Sequence, residues 1–318
     1  MSAKTYRLLA LLTCAGMFLV LIAGVLVTNT KSGRGCGTDW PLCNGKFIPA
    51  YTLESMVEYS HRAISGIVGL LTAAAFAATL LRRPRSAEAV LYASGALLFT
   101  VLQAVLGAAA VLWPTSSAVL ALHFGISMFA FTCTWLLYSA SKQAQPAASG
   151  PQRGAARALR AAPPAGRRPL PGGVFGAIAV LVVYCYGVVY LGAYVRHTSS
   201  AGGCAGWPLC NGRLVPELTG AAAIVFAHRA AAAVLLLATL LLLVYVRRRA
   251  EAHRELTGLA AAAAVLALAQ VLSGALLTYT MGDADVYVFT SLLHTIIISA
   301  YFSLLCLMAV RAWRLSRR

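Results

Sequence analysis

The chain has 318 residues, of which 60% are hydrophobic and only 11% are charged, and its net charge is +17. Soluble globular domains carry about 25% charged residues, so the composition excludes that class. The basic excess does not indicate a nucleic-acid partner, because the basic residues cluster in alternate segments between apolar runs, as membrane topology requires. The sequence predicts an all-α membrane protein surrounded by lipid.

Eight apolar runs, each long enough to cross a bilayer as a helix, follow one another along the chain. The first run is too long for a signal peptide and lacks a cleavage site of small residues, so we expect a retained helix. A segment rich in Ala, Pro, Gly and Arg, residues 142–172, predicts a linker between an N-terminal unit, 1–141, and a C-terminal unit, 173–318. The predicted spans are 8–28, 57–81, 87–112, 118–140, 173–195, 221–246, 256–280 and 287–310.

Positive charge identifies the cytoplasmic side of these spans, since Lys and Arg are enriched in cytoplasmic loops. This rule predicts a multi-pass protein of the plasma (inner) membrane with both termini and the linker in the cytoplasm. His253, among these charges, is expected to be solvated, and His197 is expected in an outer loop. The cytoplasmic set comprises Lys4, Arg7, Arg82, Arg83, Arg85, Lys142, Arg153, Arg157, Arg160, Arg167, Arg168, Arg247, Arg248, Arg249, Arg254, Arg311, Arg314, Arg317 and Arg318.

The loop after the first span contains the hexapeptide WPLCNG at residues 40–45, and the same hexapeptide returns at residues 207–212. Such a repeat indicates a tandem duplication. Each copy has four spans, an even number, so both copies have the same orientation and are related by an axis along the membrane normal. We therefore predict two pseudo-twofold related four-helix bundles in tandem, packed through their many Ala and Gly residues.

Four histidines occupy equivalent places near the outer ends of the even-numbered spans: His61, His123, His228 and His294. A single intramembrane histidine can simply hydrogen-bond a neighbouring helix, but ionisable groups in hydrocarbon are costly and usually functional. Two histidines on facing helices of a bundle are the usual axial ligands of heme iron. The pattern therefore predicts one heme site in each half.

An arginine follows the first histidine of each pair at the membrane interface. Arg62 and Arg229 could contact heme propionates, or they could be ordinary arginines whose stems lie along apolar surface. The sequence leaves both interpretations open.

The cysteines divide into two classes. Cys36 and Cys43, and likewise Cys204 and Cys210, form spaced pairs in loops on the oxidising side, where disulfides form and persist. A structural disulfide and redox exchange with a partner are both compatible with these pairs, whereas zinc is disfavoured because no loop histidine lies at ligand spacing. The cysteines expected to behave as small buried apolar residues are Cys14, Cys133, Cys185 and Cys306.

Glu58 breaks the symmetry between the two copies. It lies three residues before His61, on the same helical face, whereas Val225 stands at this position in the second copy. A carboxylate there could hydrogen-bond a neighbouring group, or it could accept a proton or stabilise charge beside a bound heme. The presence of this carboxylate in only one of the two copies favours an enzyme over a symmetrical electron carrier.

Taken together, these residues resemble the heme A synthases of aerobic bacteria and mitochondria. The resemblance covers nearly the whole chain and rests on the GCGTDWPLCNG loop, the E-x-x-H-R stretch, the second WPLCNG loop and the remaining histidines. Such enzymes oxidise one porphyrin methyl group of heme o to the formyl group of heme a, for terminal oxidases, by successive hydroxylations.

The resemblance implies roles for particular residues. His61 and His123 would flank the substrate heme, with Glu58 as the catalytic carboxylate, and His228 and His294 would ligate a heme b cofactor. The four loop cysteines match the family's loop cysteines. The expected partners are membrane lipid, heme o with the heme o synthase that supplies it, and an unidentified electron donor or acceptor. The sequence leaves open whether copies of the chain form a homo-oligomer.

Two other functions fit parts of the pattern. A diheme b membrane cytochrome in quinol-linked electron transfer accounts for the histidines but gives no reason for Glu58 in one half only. A quinone-linked disulfide oxidoreductase accounts for the loop cysteines but leaves four histidines unexplained.

Overall fold

Eight α-helices dominate the computed structural model, which describes residues 1–143, 170–251 and 253–317. Each helix is long and apolar enough to cross a membrane, and the described residues form no strand beyond two isolated bridges. The predicted all-α membrane protein is therefore confirmed. The helices are α1 Ala3–Asn29, α2 Leu53–Leu81, α3 Ala87–Leu112, α4 Ser117–Gln143, α5 Val174–His197, α6 Gly220–Arg249, α7 Arg254–Tyr279 and α8 Ala284–Ser316.

The helices extend beyond the predicted apolar spans. α1 begins at Ala3, where the Ser2 hydroxyl accepts a hydrogen bond from the Thr5 N–H, and α8 continues through Arg311 and Arg314. Capping satisfies backbone donors that the helix leaves free, and arginine is a good helix former. Hydropathy detects the apolar part of a span and misses these polar end turns.

Contacts between helices run around each half of the chain. α1 and α3 both pack on α2 and α4, and α5 and α7 both pack on α6 and α8. This arrangement is compatible with the predicted tandem pair of four-helix bundles. Most of the predicted linker, residues 144–169, lies outside the described residues, as do Arg153, Arg157, Arg160, Arg167, Arg168 and Arg318.

The two halves meet where α4 and α1 contact α5 and α8. Phe129 of α4 lies at the centre of this contact, with ring centroids 5.0 Å from Tyr186 and 5.1 Å from Phe302. Nearby, the hydroxyls of Thr132 and Ser303 are hydrogen-bonded at 2.9 Å. Aromatic packing and a buried polar pair therefore hold the halves in one relative position.

Close helix approach depends on glycine at several points. A Cβ placed on Gly125 of α4 would lie 2.9 Å from Tyr186 Oη, and one on Gly16 of α1 would lie 2.6 Å from a Val68 methyl group. Side chains at these positions would push the helices apart. Small residues let transmembrane helices approach closely and gain dispersion contacts.

Three side chains differ from the sequence-based expectations. His253 is 8% exposed, not solvated: it lies in the turn between α6 and α7, where its N–H donates to Ala250 O at 2.8 Å, and its Nε2 is buried. His197 is the last residue of α5 and not a loop residue. Arg196, which follows the predicted span 173–195, also belongs to α5, because the helix continues two residues beyond the apolar run.

Candidate functional site

Each of the four predicted histidines packs against a glycine of the preceding helix. A Cβ placed on Gly192 would lie 2.8 Å from His228 Cε1. The other three glycines repeat the contact at longer distances: a Cβ on Gly274 would be tight against its imidazole, and one on Gly24 or Gly107 would make ordinary van der Waals contact. In chain order the pairs are Gly24 with His61, Gly107 with His123, Gly192 with His228 and Gly274 with His294, and the Cβ to Cε1 distances are 3.4, 3.6, 2.8 and 3.3 Å.

The histidines are also close to one another in pairs. His61 lies within electrostatic range of His123, and His228 of His294; His197 is also within range of His123, and Arg196 of His294. The two pairs come from α2 with α4 and from α6 with α8, so each half of the chain contributes one pair. The structure thus brings together the residues that the duplication pattern matched.

In three of the imidazoles, one ring nitrogen is buried and has no hydrogen-bond partner. The Nδ1 atoms of His61, His123 and His228 are buried and lack hydrogen bonds, although each of these residues is partly exposed as a whole. The accessible part of each residue therefore belongs to its other atoms. A neutral imidazole with an accessible Nε2 edge fits the ligand that heme iron requires.

His294 differs because polar side chains surround its ring. The Ser273 hydroxyl donates to Gln270 O at 2.8 Å, which leaves its oxygen to accept a hydrogen bond from His294 Nδ1–H at 2.8 Å. The Gln270 amide nitrogen lies 2.9 Å from His294 Nε2 and 3.2 Å from Nδ1, so the Ser273 contact favours the Nδ1–H tautomer, in which Nε2 accepts. Hydrogen-bonding a ring N–H in this way orients a ligating histidine and raises its basicity.

The first half has no equivalent of this network. Leu106 occupies the position that matches Ser273, and the Gln103 amide donates to the carbonyl of His123 at 2.5 Å. The His123 ring therefore has fewer fixed neighbours than the His294 ring. Ser273 is a site residue that the sequence comparison of the two copies missed, although its pairing with Leu106 was visible there.

Glu58 joins α2 to the first disulfide loop. Its Oε2 accepts a hydrogen bond from the Cys36 N–H at 2.8 Å, and its Oε1 accepts one from Arg62 Nη2 at 2.5 Å. Of the acidic side chains that the structure describes, only Glu58 is buried, at 3% exposure. No hydrogen bond is present between Glu58 and His61. The carboxylate is thus neutralised by a cation and fixed by the loop.

Arg62 extends the same contact. Its Nη1 donates to the carbonyls of Asp39 and Leu42, both at 2.7 Å. The guanidinium therefore crosslinks the loop to the helix while pairing with Glu58. These donors are occupied by protein acceptors and do not point freely toward a ligand.

In the second half the arginine contact is retained and the carboxylate is absent. Arg229 Nη1 donates to the carbonyls of Gly206 and Leu209, at 2.8 and 3.2 Å. Its Nη2 donates to Cys204 O at 3.1 Å and to the Thr278 hydroxyl at 3.2 Å. Val225, in the place of Glu58, packs against the disulfide. The loop anchor is therefore common to both halves, and the buried acid belongs to one.

Both predicted cysteine pairs lie at disulfide distance, with Cα atoms of Cys36 and Cys43 4.3 Å apart and those of Cys204 and Cys210 4.6 Å apart. All four cysteines are at most 2% exposed. Burial shields the sulfurs from an attacking thiolate, which thiol exchange requires. The geometry favours a structural role for both disulfides.

An Asn-Gly turn shapes each loop after its second cysteine. Asn44 and Gly45 have φ values of 50° and 74°, and Asn211 and Gly212 repeat them at 55° and 75°. Positive φ at both central residues defines the tight turn that Asn-Gly favours. The repeated NG dipeptide is therefore a requirement of the turn, and the loop is built the same way in both copies.

The chain is similar to known proteins along nearly its whole length. Residues 50–165 match the family described as cytochrome oxidase assembly protein. The heme A synthase of Symbiobacterium thermophilum is 41% identical over 302 residues, which cover 95% of this chain and 94% of that protein. The heme A synthases of Alkalihalophilus pseudofirmus and Geobacillus thermodenitrificans are 36% and 33% identical, covering 96% and 99% of this chain and 97% and 94% of theirs.

The glycine contacts lead to a paired stability prediction on α5. Gly192→Ala places a Cβ against the His228 ring, whereas Gly187→Ala places one in open space. Alanine gains up to about 1 kcal/mol over glycine within a helix, but overpacking costs about 1–3 kcal/mol. We expect Gly192→Ala to lower the midpoint of thermal unfolding and Gly187→Ala to hold or raise it. Equal midpoints would show that the imidazole does not need this space.

Proposed function

The chain belongs to the heme A synthase family, and on that premise we propose that its two homologous halves hold two hemes with different tasks. The protein is an oxidoreductase that converts heme o to heme a, oxidising a porphyrin methyl group to a formyl group by successive hydroxylations. The proposal that the two hemes have different tasks is supported by one observation: the two matched histidine pairs have different surroundings. One pair has a buried carboxylate beside it, and the other has a hydrogen-bonded ligand tautomer.

In the first half, we assign His61 and His123 to the substrate, heme o. Their buried, unpartnered Nδ1 atoms and accessible opposite edges suit axial contacts to a porphyrin iron. The His123 ring has no orienting hydrogen bond of the kind that Ser273 supplies to His294. A less firmly oriented ligand suits a site from which product must leave.

Glu58 is the proposed catalytic carboxylate of this half. Its contacts with Arg62 and the Cys36 N–H hold it in place near the outer end of α2, one turn from His61. A carboxylate there can accept a proton or stabilise positive charge while the methyl group is oxidised. The hydrogen bond from the Cys36 N–H fixes the position of the carboxylate. To accept a proton, the carboxylate would have to separate from the Arg62 guanidinium.

In the second half, we assign His228 and His294 to heme b. The donor set fits this cofactor, because Ser273 fixes the Nδ1–H tautomer of His294 and leaves Nε2 to ligate once the Gln270 amide turns aside. Heme b bound there would supply one-electron transfer. The apolar Val225 and the absence of a buried acid, within the described residues, favour electron transfer over acid–base chemistry in this half.

Arg62 and Arg229, predicted as propionate contacts, have a different principal role in this proposal. Most of their donors bind loop carbonyls, so we assign them to holding the disulfide loops over the histidine sites. They would influence heme binding through the position of those loops. The loop disulfides, buried at both sites, would serve the same purpose.

The protein is a multi-pass protein of the plasma membrane. We propose that both termini are cytoplasmic and that the disulfide loops lie outside, on the evidence of the charge pattern. The proposed units are residues 1–141 and 173–318, joined by 142–172. A heme o synthase would deliver the substrate, an electron donor or acceptor would exchange electrons with heme b, and copies of the chain would associate.

Orientation can be tested with single cysteines at exposed positions, because the native loop cysteines are buried. Lys46→Cys lies in the first disulfide loop and Arg85→Cys between α2 and α3, and both native side chains are exposed. We expect a membrane-impermeant maleimide to label Lys46→Cys on intact spheroplasts and Arg85→Cys only after lysis. The opposite pattern would overturn the proposed orientation.

The assignment of the halves predicts a spectroscopic difference. The purified protein should show the optical spectrum of low-spin bis-histidine heme b. His228→Ala or His294→Ala should abolish or weaken it, because each removes an axial ligand. His61→Ala and His123→Ala serve as matched controls and should retain it. The reverse result would exchange the tasks of the two halves.

A catalytic role of Glu58 can be distinguished from a role in anchoring the loop by comparison with Ser55. The Ser55 hydroxyl donates to Gly35 O at 2.6 Å and anchors the same loop. With heme o supplied, extraction and mass analysis should find heme a in cells making the wild type. Glu58→Gln should reduce turnover by about 100-fold or more, the effect of losing a positioned acid–base group. Heme o or a partly oxidised heme should accumulate while second-half heme b is intact.

Ser55→Ala should reduce protein yield without lowering turnover per folded molecule, since it weakens the loop contact alone. If Glu58→Gln behaves like Ser55→Ala, the carboxylate is only a loop anchor. A well-folded Glu58→Gln protein that makes heme a at the wild-type rate would remove Glu58 from the mechanism.

A further inference from the structure

Arg196 is a cation for which the functional assignments above provide no role. It lies in the last turn of α5, its side chain is partly buried, and its Nη2 donates to the Ser291 hydroxyl of α8 at 2.5 Å. No carboxylate lies within ion-pair distance of it among the residues that the structure describes. A cation inside an apolar bundle without a counter-ion is costly, so it is expected to have a partner.

Two independent contacts place the Arg196 guanidinium relative to the second-half histidines. Gly192, which packs on His228, lies four residues before Arg196 on the same face of α5, about 6 Å along the helix axis. Ser291 lies three residues before His294 on the same face of α8, about 4.5 Å along that axis. The guanidinium therefore lies one helical turn from both imidazoles, toward the disulfide loops.

Arg196 also differs from the arginines that follow the histidines. Arg229 donates to three loop carbonyls and one hydroxyl, whereas Arg196 has a single hydroxyl partner and further donors available. None of the remaining Arg196 nitrogens is both buried and unpartnered, so its free donors face accessible space. This arginine, unlike Arg229, can receive an anion without breaking protein contacts.

We propose that Arg196 binds a propionate carboxylate of the porphyrin held between His228 and His294. The inference rests on the proposed heme b assignment of the second half. Propionates project from one edge of a porphyrin, and the guanidinium lies above one end of the histidine pair. Arginine binds carboxylates in a planar, charge-assisted geometry, and the interaction is strengthened where water is scarce.

The first half has no cation at the matching position. Thr28 lies four residues after Gly24, as Arg196 lies four residues after Gly192, and its hydroxyl donates to Gly24 O at 3.1 Å. Substrate held between His61 and His123 therefore lacks this anchor. The difference suits a cofactor that stays bound in one half and a substrate that leaves the other.

The anchor also has an electrostatic consequence for heme b. A positive charge near the iron favours the reduced state, which has the lower positive charge at the metal. Removing Arg196 should therefore shift the midpoint potential of the second-half heme to a more negative value. This readout does not depend on turnover.

The test compares heme with its dimethyl ester, in which both propionates are neutral. Protein made in heme-deficient cells is titrated with each porphyrin, and binding is followed by the low-spin spectrum. The wild type should prefer heme over the ester by roughly 10- to 100-fold, the effect of a hydrogen bond to a charged group. Arg196→Gln should lose most of this preference and have a more negative potential.

Arg213→Gln is the matched control, because Arg213 is an exposed loop arginine whose nearest ion-pair contact is 3.8 Å, to Glu217. It should keep the wild-type preference and potential, and Arg196→Lys should keep part of both. A wild type that binds heme and the ester equally would overturn the proposal, even if Arg196→Gln does not fold. So would an Arg196→Gln protein with unchanged preference and potential. A wild type that forms no low-spin complex with heme would contradict the heme b assignment itself.

Discussion

The contact between glycine and imidazole is the constraint on which this architecture depends. Four imidazoles lie inside a helical membrane protein, and each lies against a glycine of the preceding helix. Without a Cβ at these positions the helices can approach closely enough to pack while leaving room for the ring. Because the contact recurs four times, the spacing of neighbouring helices and the position of the histidines are set together.

The two halves share the same helical arrangement and differ in a few polar residues near their histidines. The first half has Glu58 and the pair it makes with Arg62, whereas the second half has Ser273 and Arg196. The first half thus holds a neutralised acid beside its histidines, and the second holds an oriented ligand and an additional cation. In a medium of low polarity, single charges and hydrogen bonds of this kind have large effects. A duplicated helical frame therefore supports two different sites.

The disulfide loops connect the membrane-embedded sites to the surface. In both halves an arginine next to a histidine binds the carbonyls of its loop and so crosslinks the loop to the helix that carries the histidine. Buried sulfurs and Asn-Gly turns define the path of each loop. The proposed catalytic carboxylate receives its position from this assembly, since one of its oxygens binds the backbone of Cys36.

The sequence by itself determined the number of membrane spans, the duplication and the four histidines, because hydropathy, repeated motifs and costly intramembrane polar groups are properties of local sequence. It also indicated the family. It did not reveal that Arg62 binds Asp39 and Leu42, or that Arg196 lies in a helix beside Ser291. Those partners are distant in the chain, and only the rotation and packing of the helices decide which side chains meet. The tertiary structure therefore decided which protein groups each of these arginines contacts, and with it the difference between the two sites.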